Sequence, residues 1–151
     1  MITQQRIEEL ILPLLEDSEF EIVEIRLHGR SGRLFIAIKL DHRERSIFLD
    51  ECAKWSRNFE DVFDITLDFP RQYALDVSSP GLGYPLMKEW QFKKNIGRTL
   101  IIEERPEKSE QGKPTIRKAK LISVEKGKLL FDDDLSVEMK SIIKAKVALP
   151  W

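Results

Sequence analysis

Cys52 is the single thiol of the sequence, and His28 and His42 are the two histidines that could serve it as a base. The spacing from Cys52 to Trp55 and Phe59 predicts that the thiol lies on the apolar side of a helix, where a buried, inert cysteine is the usual case. One cysteine excludes an internal disulfide, and it leaves too few sulfur and nitrogen ligands for a metal cluster. The sequence also lacks a Walker loop, a nucleophile elbow and a zinc motif. We therefore predict a protein that is not an enzyme and holds no metal or cofactor.

The peptide Asp132-Asp133-Asp134 is a candidate for binding a divalent cation, since hard cations prefer oxygen ligands. Consecutive side chains of a strand-like segment point in opposite directions, so three adjacent carboxylates do not converge on one ion. A solvated turn is the better interpretation.

The peptide Gly29-Arg30-Ser31-Gly32 matches the GxxG loop with which KH domains clamp an RNA backbone. That loop normally joins two helices, whereas the residues on both sides of this one have the alternation of strands. We therefore predict a plain hairpin connection, at which Arg30 and Arg33 still present positive charge.

The second half of the chain carries lysines that alternate with apolar residues. If Ala119 and Leu121 point inward on a strand, their neighbours point out, and the same holds around Ala145 and Val147. Such alternation concentrates positive charge on one surface, as phosphate binding requires. Ordinary solvated lysines, interspersed with glutamates, explain the pattern equally well, so both interpretations stay open. The candidate RNA-facing residues are Lys93, Lys94, Arg98, Lys118, Lys120, Lys144 and Lys146.

The first half of the chain must supply the elements that position these groups. Thr3 is placed to cap a helix with an apolar stripe at Ile7, Leu10 and Ile11, although Pro13 should kink it or distort its last turn. Strands are predicted at 20–27 and 34–40, a helix from Asp50 or Ser46 onward, and further strands at 65–67 and from residue 73. This order predicts an α+β layer in which two helices cover one face of a small sheet.

After residue 85 the pattern changes to a short linker helix, with Met87, Trp90 and Gln91 near one face, and then to short strands. The strands are predicted at 98–104, 116–124, 129–132, 137–139 and 144–149. So many short strands in so little sequence predict a small barrel, because closing the sheet removes its exposed edges.

The peptide Ser78-Ser79-Pro80-Gly81-Leu82 stands between the two patterns and is the tightest cluster of turn residues. Pro80 and Gly81 fit the second and third positions of a type II turn over 79–82. Residues 1–88 have a net charge of −5 and residues 89–151 of +4. This split predicts two domains, 1–85 and 86–151, that meet different partners.

The N-terminal peptide has no basic region followed by an apolar core, and no apolar run approaches the ~20 residues of a membrane helix. With 34% charged residues and a net charge of −1, the composition predicts a soluble, cytoplasmic protein.

The corner peptide Leu75-Asp76-Val77-Ser78-Ser79-Pro80-Gly81-Leu82, followed by Pro85-Leu86, closely resembles the signature of the bacterial ribosome maturation factor RimP family. Similarity extends to Pro13, to Phe20-Glu21-Ile22-Val23, to Leu49-Asp50-Glu51-Cys52 and to the tail from Ile143 to Pro150. Many members carry an Asp-Arg pair where this chain has Gly83-Tyr84. This chain therefore has no charged pair at that position, although the turn itself is retained.

The resemblance implies a KH-like N-terminal domain followed by an Sm-like or SH3-like barrel. It further implies a non-catalytic assembly factor without cofactors, which binds the immature small ribosomal subunit through ribosomal RNA and a ribosomal protein of the decoding region. Ser78, Ser79, Pro80, Gly81 and Leu82 would then be a candidate subunit contact or only a backbone corner. The alternative function is a general Sm-like RNA-binding module that acts on small RNAs.

Overall fold

The computed structural model describes residues 2–105 and 112–149 of the chain. Its internal contacts divide the chain into two compact units, Met1–Pro80 and Gly81–Trp151, hereafter unit 1 and unit 2. Helices and sheets occur together, which confirms the mixed α+β class, while the domain bounds 1–85 and 86–151 stay a prediction. Within the described ranges, no helix is long and apolar enough to cross a membrane.

Unit 1 consists of two helices and a three-stranded sheet. Its elements are α1 (Gln4–Leu15), β1 (Phe20–Arg30), β2 (Arg33–His42), α2 (Leu49–Ile65) and β3 (Tyr73–Ser78). The sheet order is β1-β2-β3, with β1 antiparallel and β3 parallel to β2. The parallel pair needs a long crossover, which α2 supplies.

The helices of unit 1 bury apolar stripes in the core that also takes the inward side chains of the sheet. Ile7, Ile11 and Leu15 are the buried positions of α1, and the Thr3 hydroxyl caps this helix by accepting from the Arg6 N–H at 3.1 Å. The helix continues through Pro13 to Leu15. The largest fully buried side chains of α2 are Phe59 and Phe63, so the predicted aromatic face is confirmed.

The helix predicted from Asp50 or Ser46 onward begins at Leu49, one residue before Asp50. Phe48 is the N-cap residue and has no side-chain acceptor, but its backbone N–H donates to Glu51 Oε1 at 2.9 Å. The helix end is therefore satisfied from inside the first turn, as in one half of a capping box.

The strand predicted at 65–67 is wrong. Ile65 is the last residue of α2, and the Thr66 hydroxyl donates to the Val62 carbonyl at 2.7 Å, which closes the helix. Leu67 is fully exposed, whereas Phe69 is buried and stacks on Phe63 with ring centroids 4.4 Å apart. Of the residues that suggested a strand, Ile65 is thus a helix end and Leu67 is solvent-exposed, while the later Phe69 holds the connection in the core.

Unit 2 contains one short helix and a five-stranded antiparallel sheet. Its elements are α3 (Glu89–Lys93), β4 (Thr99–Glu104), β5 (Thr115–Glu125), β6 (Lys128–Phe131), β7 (Ser136–Glu138), a 3₁₀ helix (Met139–Ser141) and β8 (Ile142–Val147). The order is β7-β6-β5-β4-β8. The outermost strands β7 and β8 are not paired with each other within 2–105 and 112–149, so the predicted barrel is seen as an open sheet.

The linker helix was predicted over 86–94 but spans only Glu89–Lys93, and its predicted face is buried only in part. Gln91 and Phe92 are buried, whereas Met87 is 78% exposed. Gln91 Oε1 accepts the backbone N–H groups of Met87 and Lys88, both at 2.8 Å. An amide side chain, which composition would place at the surface, thereby holds the chain where it enters the helix.

Candidate nucleic-acid interface

Four lysines lie on the outer face of β8, β4 and β5, on both sides of Ile101 and Glu103. Lys118 of β5 and Lys146 of β8 are in register with Ile101, and Lys144 is in register with Glu103. Lys120 is in register with Thr99. We call Lys118, Lys120, Lys144 and Lys146 the lysine face.

The opposite face of the same strands forms the core of unit 2. Ala119, Leu121 and Ala145 are buried, together with Leu100 and Ile102 of β4. The period-two alternation predicted from the sequence is therefore confirmed for β5 and β8, because each lysine is the direct neighbour of a buried residue.

The ammonium groups of the lysine face form no ion pairs with the residues that the structure describes. Within the described residues, none of the four has an ion pair, while the neighbouring Arg117 binds Glu104 at 2.8 Å. Lys118, Lys120 and Lys144 are exposed and Lys146 is half-buried. Unpaired, solvated charges on a rigid sheet are available to bind phosphate groups.

A groove of about 560 Å³ borders the lysine face. Its lining includes Leu82, Arg98, Thr99, Lys118 and Val147. The Arg98 guanidinium is held in place because it donates to Asn95 Oδ1 at 3.2 Å. The groove thus brings together Leu82 of the corner peptide and two of the candidate basic residues. No sequence signal predicts this juxtaposition, since it arises from strands that are distant in the chain.

Lys93 and Lys94 differ from the other candidates because they lie on α3 and interact there. Lys93 Nζ is 4.0 Å from the Glu89 carboxylate. Lys94 Nζ lies 5.8 Å from the ring centroid of Trp90, a cation–π distance. Their role in RNA binding stays a prediction.

The corner peptide turns slightly later than expected. The structure assigns the turn to Leu82 and Gly83 and not to 79–82. Gly81 has the predicted positive φ, 81°, and Gly83 has a φ of 77°. A second glycine with no Cβ allows the turn to close there. Ser78 ends β3 in register with Lys39, Ser79 is exposed, Pro80 is half-buried, and Leu82 is 75% exposed.

The residues considered for nucleophilic chemistry do not form a site. Cys52 is buried in the core of unit 1, and burial raises the pKa of its thiol, which disfavours the reactive thiolate. His42 Nε2 lies 2.8 Å from Glu19 Oε2, and its Nδ1 accepts the Glu44 N–H, so both ring nitrogens are engaged.

The GxxG peptide at 29–32 and the three adjacent aspartates at 132–134 both form turns. Ser31 and Gly32 have positive φ values of 54° and 75° between β1 and β2, which is the geometry of a tight hairpin. Asp134 has a φ of 62° in the turn before β7, and Leu135 N–H donates to Asp133 Oδ1 at 3.2 Å. Within the described ranges, no group of three or more metal-ligating side chains is found.

Residues 10–83 match the family model of the RimP N-terminal domain. The matched segment runs from the middle of α1 through the corner glycines, and so covers the whole sheet of unit 1.

Proposed function

We propose, because residues 10–83 belong to the RimP family of ribosome maturation factors, that this protein is a non-catalytic assembly factor of the small ribosomal subunit. It binds the immature particle in the cytoplasm, through ribosomal RNA and through a ribosomal protein of the decoding region. The membership confirms the resemblance seen in the signature peptide.

The finer fold assignment is part of the proposal. Unit 1 is taken as KH-like, and unit 2 as an Sm-like or SH3-like barrel. The support for unit 2 is its five antiparallel strands, with a 3₁₀ helix between the last two. Folds of this class expose a curved strand surface to single strands of nucleic acid.

The lysine face is the proposed RNA contact. The observation that carries this assignment is the set of four lysines around Ile101 without anionic partners among the described residues. Each phosphate that they neutralise releases counterions and adds to the affinity. Arg98 and Leu82 extend the contact along the groove, which makes the corner peptide part of the subunit-binding surface.

The proposed contact for the ribosomal protein is the helical side of unit 1. Asp61 and Asp64 of α2 are exposed, and residues 1–88 carry a net charge of −5. Ribosomal proteins that bind RNA are basic, so such a surface offers complementary charge and speeds association.

Sedimentation of the tagged full-length chain in cell extract tests the function. We expect comigration with free small subunits and absence from translating ribosomes. The double variant Lys118→Gln/Lys146→Gln should shift towards the top of the gradient, while Lys54→Gln/Lys128→Gln, which loses the same charge elsewhere, should not. Comigration with small RNAs alone would instead support the general Sm-like module and contradict the assembly role.

A further inference from the structure

The sheet of unit 1 has an outer face that its helices do not cover. On β2 the inward residues Leu34, Ile36 and Ile38 pack into the core. The alternate residues therefore point away from it. Register places β1 and β3 side chains beside them, so the outer sheet face consists of Glu24, Arg26, His28, Arg30, Arg33, Phe35, Ala37, Lys39, Ala74, Asp76 and Ser78.

Phe35 is the centre of this face. It is 40% exposed, although it lies on the middle strand of the sheet. The Arg33 guanidinium carbon is 5.8 Å from its ring centroid, and the His28 ring is 6.4 Å away. Ala74 on the other side is in register with Phe35 and has a short side chain. An open groove of about 340 Å³ runs over these residues.

The charge of the outer sheet face differs from that of the unit around it. Arg30 and Arg33 are exposed, face each other in register at the hairpin, and have no ion pair with a described residue. Arg26 is paired with Glu24, and Glu24 and Asp76 are the acidic residues of the face among the described residues. Unpaired arginines are thus concentrated beside an exposed aromatic ring in an otherwise acidic unit.

We infer that the outer sheet face binds single-stranded RNA, with one unpaired base stacked on Phe35 and the adjoining phosphates held by Arg30 and Arg33. Bases stack on aromatic side chains of a sheet because every base has a π-face, and arginine forks match phosphate oxygens. The alanines beside Phe35 leave a flat floor, which suits a planar base better than the deep apolar pocket that a protein anchor needs.

This site is separate from the lysine face and does not depend on it. The lysine face contributes charge alone, and its affinity should fall steeply with salt. Stacking on Phe35 contributes an apolar contact that requires an unpaired base. The charge contact of the lysine face and the stacking on Phe35 can therefore be distinguished by their salt dependence and by comparing single-stranded with double-stranded RNA.

Phe48 supplies a matched control. It is 55% exposed and also has an arginine over its ring, Arg45 at 4.5 Å from the centroid. The Arg45 guanidinium is however bound to both carboxylate oxygens of Glu51 at 2.8 Å, so its charge is already neutralised. Phe48 therefore reproduces the exposed aromatic and cation pair without a free phosphate ligand.

The test is fluorescence anisotropy of the full-length protein with a labelled single-stranded RNA decamer and with a duplex of the same length. Phe35→Ala should weaken decamer binding about tenfold, equally at low and moderate salt, and leave duplex binding unchanged. Phe48→Ala should change neither, and Phe35→Tyr should retain the affinity. Arg30→Gln/Arg33→Gln should also weaken decamer binding, and in that variant the Phe35 ring is still present for stacking.

Equal decamer affinity of Phe35→Ala and Phe48→Ala, with both variants folded by circular dichroism, would overturn the inference. So would a Phe35→Ala protein that keeps decamer affinity but no longer sediments with small subunits, because the face would then dock a protein. Failure of the proposed function gives a different pattern, in which the wild-type protein never comigrates with small subunits whatever its decamer affinity.

Discussion

Lys118 of β5 and Lys146 of β8 lie in register with the same residue, Ile101, on opposite sides of β4. Two strand spacings separate their backbones by roughly 10 Å. Like charges at this distance repel each other weakly across solvent, and neither lysine forms an ion pair with a described residue. A negatively charged partner that binds between the two lysines would therefore reduce their mutual repulsion.

Removal of both charges should act on RNA affinity and not on folding. For single strands the salt slope changes by about 0.7 per phosphate contact, so Lys118→Gln/Lys146→Gln should reduce the slope of log K against log salt by about 1.4. The free energy of unfolding should stay within about 0.5 kcal/mol of wild type. Titrations of single-stranded RNA at several salt concentrations check the slope, and Lys54→Gln/Lys128→Gln is the control. An unchanged slope would exclude these lysines from the contact.

Gly81 should be required for its backbone conformation. Its φ of 81° is unfavourable for any residue with a Cβ, although an added Cβ would meet no atom within 4 Å. Gly81→Ala should thus lower the free energy of unfolding by about 1 kcal/mol. Urea denaturation measures this, and Gly29→Ala, where the space is also open but φ is not positive, is the control. Unchanged stability together with lost subunit binding would show a direct contact instead.

Local periodicity was sufficient to predict most of the elements and the outward direction of the lysines. Buried Ala119 and Ala145 decide where Lys118 and Lys144 point, because neighbours on a strand face opposite ways. The same pattern predicted α1 and the face of α2. These features depend on residues close together in the sequence.

Features that depend on partners far away in the sequence were missed. Phe35 becomes a surface aromatic only once β1 and β3 pair with β2 and place His28 and Ala74 beside it. The groove between Leu82 and Lys118 likewise needs the complete sheet. Strand register and the neighbours that it brings together are properties of the tertiary structure, and the composition of a sequence does not predict them.

The Arg45–Glu51 pair at the start of α2 should make stability depend on pH. The hydrogen bond from Arg45, followed by that from the Phe48 N–H, lowers the pKa of Glu51 from its usual 4.5 to about 2. A carboxyl with a depressed folded-state pKa stabilises the protein above its unfolded pKa and loses that contribution as pH falls. The difference in unfolding free energy between wild type and Glu51→Gln should be constant above pH 4.5 and shrink between pH 4.5 and 2.

Urea denaturation at pH 7, 5 and 3 would measure that difference. Glu44→Gln is the control because Glu44 is exposed and its carboxylate has no ion pair with a described residue. Its difference from wild type should be small at every pH, since its exposed carboxylate forms no ion pair with a described residue. The Glu51 carboxylate also accepts the Phe48 N–H at the start of α2. Loss of the carboxylate should therefore fray the first helical turn and expose Phe48 further. A Glu51→Gln difference that stays constant down to pH 3 would contradict the pair's role at the helix start.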